Sequence, residues 1–259
     1  MRKTSQVLAA AALVPGLALA EVQTESVTYQ DGDETLTGYL AYDDAIDGKR
    51  PGVLVVHEWW GLNDYAKRRA EMLAELGYVA FAADMYGDNR VTKHAEDAKG
   101  WMQQITSNVE GWRARASAGL DVLKQQPQTD AERLAAIGYC FGGATVMQMA
   151  YAGADVDGVV SFHGSLPAAP ADLAAVTPSV LAAHGSADGF VPAETVQAFE
   201  DGLERVDADW QLVTYGGARH GFTNPTAGEY GIDNVAYDPK ADQRSWALMQ
   251  DFLDDVFAD

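Results

Sequence analysis

The chain of 259 residues carries a single cysteine, Cys140, so no disulfide can close within it. Basic residues are scarce: 18 lysines and arginines stand against 38 aspartates and glutamates, for a formal net charge of −20. That imbalance opposes binding to nucleic acid or to an anionic membrane, both of which require a positive face. Beyond residue 20 no apolar run approaches the roughly 20 residues that a membrane-spanning helix needs. Internal repeats and low-complexity linkers are also missing, so a single domain over residues 21–259 is expected.

The first twenty residues read as a leader. Arg2 and Lys3 give a charged start, residues 7–19 are apolar around Pro15, and Ala18-Leu-Ala20 is a small-x-small cleavage signature. The run is too short to span a bilayer and ends as a secretory signal ends. Cleavage after Ala20 and export to the periplasm or beyond the cell are expected. Loss of Arg2 and Lys3 makes the mature chain more acidic still, a composition that suits a saline habitat and an ordinary acidic secreted protein equally.

Residues 25–30 and 34–42 alternate as two strands about the turn Asp31-Gly32, which predicts an antiparallel hairpin. From Pro51 the pattern changes to unbroken apolar runs, residues 52–56 and 78–83, typical of strands buried on both faces. Further strands are predicted at 133–139, 156–162, 179–183 and 210–215. Helices are predicted at 64–76, 92–105, 108–125, 142–150, 193–205 and 239–257. Strands alternating with helices predict an α/β protein, a mostly parallel sheet with helices on both faces. Chemistry in such a sheet sits beyond the carboxyl ends of the strands.

Cys140 lies in Gly138-Tyr-Cys-Phe-Gly-Gly143, between a predicted strand and a predicted helix. That is the Gly-x-nucleophile-x-Gly elbow of an α/β-hydrolase sheet, with a thiol in place of the usual serine. The helix that follows points its amino end at the sulfur, which favours a thiolate. Asp188 and His220 each follow a predicted strand and complete the chain order nucleophile, acid, histidine. In this reading His220 is the general base toward Cys140, and Asp188 orients it. Asp172 is a competing acid in a looser Ala/Pro-rich loop. His57-Glu58 resembles half of a zinc motif, but no second histidine follows at the required spacing, so no metal site is expected. At this sheet position the loop supplies the second oxyanion donor, the N–H of Trp59, with Phe141 N–H as the first; Glu58 then faces Cys140.

These motifs resemble those of the dienelactone hydrolase family. The likeness covers essentially all of the mature chain and is carried by Val55-Val-His-Glu-Trp-Trp-Gly61, Ala83-Asp-Met-Tyr86, the Cys140 elbow, Asp188-Gly-Phe-Val-Pro192 and Arg219-His-Gly-Phe222. The resemblance implies an α/β-hydrolase fold, hydrolysis of a small ester or lactone through a thioester, and no cofactor. It also implies that Glu58 holds the resting thiol and takes its proton when substrate arrives. Members that act on dienelactone grip its carboxylate with two arginines. Here one is displaced, to Arg90, and the other position is Asn224. His163 and Phe190 fall where members line the pocket. A binding protein, a thiol redox protein and a peptidase-like hydrolase on the same fold are the alternatives.

Overall fold

A computed structural model describes residues 22–258; the expected leader, residues 1–20, lies outside the described residues. The hairpin forms as β1 (Val22–Asp31) and β2 (Glu34–Asp43), paired antiparallel about Gly32. Next come β3 (Arg50–Val56), α1 (Asp64–Glu75), β4 (Val79–Ala83), α2 (Ala95–Thr106) and α3 (Val109–Lys124). The chain continues through β5 (Thr129–Tyr139), α4 (Phe141–Tyr151), β6 (Gly158–Phe162) and β7 (Ser179–Gly185), and ends with α5 (Ala193–Arg205), β8 (Trp210–Tyr215) and α6 (Pro239–Val256). No helix among the described residues is long and apolar enough to cross a membrane.

All eight strands join one sheet in the order β1-β2-β4-β3-β5-β6-β7-β8, parallel from β4 through β8. Alternation along β3 divides the core. Leu54 and Val56 pack with α3 and α4 on one face, while Val53 and Val55 pack with α1 and α6 on the other. This two-sided burial is why the central strands lack polar alternation. β4 and β5 flank β3 on opposite sides, so the connections leaving β3 and β5 pass to opposite faces and open a crevice at their carboxyl ends.

Several element ends differ from the sequence expectation, and for two of them the cause is visible. The helix predicted from residue 92 begins at Ala95, because Thr92 Oγ1 accepts the His94 N–H and holds that segment in a turn. β5 begins at Thr129, four residues early, since Thr129 and Asp130 pair with Arg50 and Pro51 before the register shifts.

Candidate active site

Cys140 joins β5 to α4 with φ 55° and ψ −113°, a conformation that a side-chain-bearing residue adopts only under strain. Close packing at the turn enforces it. A Cβ on Gly138 would lie 2.0 Å from the Gly142 carbonyl oxygen, and one on Gly142 would lie 2.1 Å from that of Val56. Only glycine lets strand and helix approach this closely. Cys140 N–H donates to the Phe162 carbonyl (3.0 Å), which fixes the turn to β6.

His220 and Asp188 reach the same point from the loops after β8 and β7. His220 Nδ1–H donates to Asp188 Oδ2 at 2.7 Å, and the Asp188 carboxylate is fully buried. The ring also lies within electrostatic reach of the Cys140 sulfur, with which it lines the same cavity. Burial alone would lower the His220 pKa; the sulfur of Cys140 and the carboxylate of Asp188 outweigh it and push the ring well above its ordinary value. Asp172 is exposed and takes no part. The three residues singled out as nucleophile, base and orienting acid are therefore brought together.

They open on a cavity of about 440 Å³. Its wall is aromatic and aliphatic: Trp59, Trp60, Met102, Trp112, Phe141 and Phe190 are the large contributors. Among the described residues that line it none is lysine or arginine, and Glu58 is its one carboxylate. Phe190 meets the His220 ring edge-on at 5.2 Å. Phe141 is the first residue of α4, so its N–H has no carbonyl partner within that helix.

A match over residues 36–257 to the model of the dienelactone hydrolase family decides the affiliation. The chain belongs to that family. Among its relatives, a protein of Yersinia pestis provisionally named a carboxymethylenebutenolidase is 26% identical over 88% of this chain and 86% of its own. A solved dienelactone hydrolase-like promiscuous phosphotriesterase, P91, from metagenomic libraries is 42% identical. It covers 91% of this chain and 99% of its own, with a TM-score of 0.89. A second solved chain, m3DLH, is 40% identical over 91% of this chain and 99% of its own, with a TM-score of 0.88.

Several family-derived placements are not met by the geometry. Glu58 shares the cavity wall with Cys140, but its Oε2 accepts from Asn224 Nδ2 at 2.6 Å, and the thiol's partner is His220. Asn224 is fully buried and is not a cavity residue; its Oδ1 in turn accepts from Thr226 N–H and Oγ1–H (both 2.9 Å). The position that carries an arginine in dienelactone-binding members thus anchors Glu58 here. Arg90 also stays outside the cavity, because its guanidinium donates to the Tyr86 and Gly87 carbonyls and lies against the Trp101 ring. His163 is buried behind the wall, hydrogen-bonded through Nε2 to Thr223 Oγ1 (2.6 Å) and edge-on to His220. Phe190 alone of these four lines the cavity.

Burial raises the Glu58 carboxyl to about 7, against the lowering effect of the Asn224 amide and of the charges on His220 and Arg69. Its ordinary value is 4.5, so between those limits the folded chain holds a proton that the unfolded chain has lost. Stability contributed at this site therefore falls as pH rises from about 4.5 to 7, by about 3 kcal/mol in all at ~1.4 kcal/mol per pKa unit. Glu58→Gln keeps the acceptor for Asn224 and removes the charge. Its thermal midpoint is expected to exceed that of wild type at pH 8 and to approach it at pH 4.5. An equal gain at both pH values would refute the assignment.

Proposed function

We propose that this protein hydrolyses a small, uncharged ester or lactone through a Cys140–His220–Asp188 triad. One observation carries the proposal: a strained cysteine, beside a histidine that is itself held by a buried aspartate, opens on an apolar cavity. His220 takes the thiol proton as the sulfur bonds to the carbonyl carbon. The carbonyl π pair moves to oxygen, which the Trp59 and Phe141 N–H groups receive. As that pair returns, the bond to the leaving oxygen breaks, and His220 hands it the proton. Water then attacks the thioester with His220 again as base, and the acid leaves as Cys140 regains its proton. No step in this sequence calls for a cofactor.

The substrate class follows from the wall. A carboxylate brought into this cavity would lose its water, find no lysine or arginine and meet Glu58. Unpaired burial of a charge costs several kcal/mol. Phenyl acetate and its 4-carboxylate analogue test this. The neutral ester is expected to have a kcat/KM at least ~100-fold higher, about 2.7 kcal/mol, with most of the difference in KM. Equal values would sink the neutral-substrate assignment. A neutral phosphotriester fits the same wall without lysine or arginine, and the P91 relative is a phosphotriesterase; a p-nitrophenyl dialkyl phosphate belongs in the same assay.

A further inference from the structure

His57 stands one residue before Glu58, is fully buried, and has no part in the triad. Both ring nitrogens are committed. Met85 N–H, just after β4, donates to Nε2 at 3.2 Å. Since Nε2 accepts, Nδ1 carries the proton, and it donates to the carbonyl of Glu58. Burial pushes the ring below its ordinary pKa, which keeps the neutral, one-donor, one-acceptor form that this pairing needs.

The Glu58 carbonyl and the Trp59 N–H are two ends of one planar trans peptide unit and point in opposite directions. Whatever grips the carbonyl aims the N–H. The Glu58 carbonyl also accepts from Gly61 N–H (3.3 Å), which closes the turn. The next peptide unit is held in the same way, by Tyr86 Oη–H donating to the Trp59 carbonyl (3.1 Å). The two holding rings touch edge-on, with centroids 5.0 Å apart. Both also pack on the side chain of Phe141, at 6.0 Å from His57 and 5.7 Å, stacked, from Tyr86. The Phe141 N–H is the other oxyanion donor. One aromatic cluster thus fixes the two donor-bearing segments against each other.

We propose that His57, seconded by Tyr86, is the positioning residue of the oxyanion hole, holding the Glu58–Trp59 peptide so that the Trp59 N–H faces the space beside the Cys140 sulfur. The proposal rests on the acyl-transfer reading of Cys140. It accounts for a buried polar ring at a place where an apolar side chain would fill the same volume, and it requires neither a metal nor a charge on the histidine.

Three measurements on the full mature chain separate this role from a purely structural one. Ester turnover and inhibition by trifluoroacetophenone both create an oxyanion, the latter as the Cys140 sulfur adds to the ketone carbon and the proton passes to His220. Alkylation of Cys140 by iodoacetamide, in which the sulfur displaces iodide, creates none. His57→Phe keeps the ring packing and deletes both hydrogen bonds. It is expected to lower kcat about 100-fold, in the range for losing one oxyanion donor, and to weaken the ketone similarly. KM and the alkylation rate should stay within threefold of wild type. His57→Asn, whose amide can still reach the Glu58 carbonyl, should recover at least tenfold of the lost kcat. Tyr86→Phe, which removes only a hydroxyl, should cost about tenfold in kcat even if His57→Phe fails to fold. A folded His57→Phe with unchanged kcat, or a parallel fall in turnover and alkylation, would overturn the proposal, as would Tyr86→Phe turning over at the wild-type rate where His57→Phe does not fold. Wild type that neither cleaves esters nor binds the ketone would instead remove the acyl-transfer reading, and this proposal with it.

Discussion

Cys140→Ala is expected to lower kcat for a neutral p-nitrophenyl ester by about 10⁴- to 10⁶-fold, the range over which single members of a nucleophile triad act. The loss follows from geometry. The sulfur is the one nucleophile at the mouth of the elbow, it touches His220, and it opens on the cavity. Alanine keeps the backbone and leaves the His220–Asp188 pair intact, so folding and cavity binding should persist while turnover disappears. His220→Ala should cost a similar factor, and the double variant no more than the worse single one, because groups that act as a unit are not additive. Release of p-nitrophenol checks the rate, and mass spectrometry after rapid quenching checks for an acyl group on Cys140. Equal turnover by wild type and Cys140→Ala would end the nucleophile assignment. A binding-protein reading would gain if neither cleaved any ester.

The grouping of Cys140, Asp188 and His220 was legible because each sits beside a local signal. The Cys140 elbow has its glycines within three residues of the cysteine, and Asp188 and His220 each follow a segment of strand length. α5 and β8 came out at Ala193–Arg205 and Trp210–Tyr215, the residues expected from periodicity alone. What periodicity could not show was pairing at long range. Asn224 and Glu58 are 166 residues apart in the chain, and no spacing rule links them. Arg90 looked available for a substrate because a sequence does not say which backbone carbonyls will claim a guanidinium. Met102 and Trp112, which no motif singles out, complete the wall from α2 and α3. His57 gave a signal, a histidine at a strand end, but its meaning depends on Met85 across the sheet.

Arg69 presents the same problem in its sharpest form and carries the largest stability effect. It occupies a core position of α1, where the helical period calls for an apolar residue, and its side chain is 5% exposed. The guanidinium pairs with Asp242 of α6 at 2.5 Å and donates to the Thr223 carbonyl at 2.6 Å. The rings of Tyr65, Tyr139 and Trp246 surround it, at 5.2 to 5.5 Å. Arginine remains charged in such a place, and its flat group can stack while it donates. Removing one partner of a buried pair leaves the other charge unpaired, so Arg69→Met is expected to cost about 3–5 kcal/mol of unfolding free energy by urea titration. Arg69→Met with Asp242→Leu should recover much of that loss, since the penalty lies in the stranded carboxylate rather than in the missing attraction. A single-variant cost below about 1 kcal/mol would show that the pair is solvated and peripheral. The consequence reaches the site. Thr223 follows His220 by three residues and precedes Asn224, which holds Glu58. The double variant should therefore fold well yet titrate Glu58 differently, because Arg69 also holds that carboxyl down through its charge. Its removal should move upward from about 7 the pH at which the Glu58 carboxyl ionises, read from the pH dependence of the thermal midpoint, and a dependence that stayed in place would separate the α1–α6 pair from Glu58.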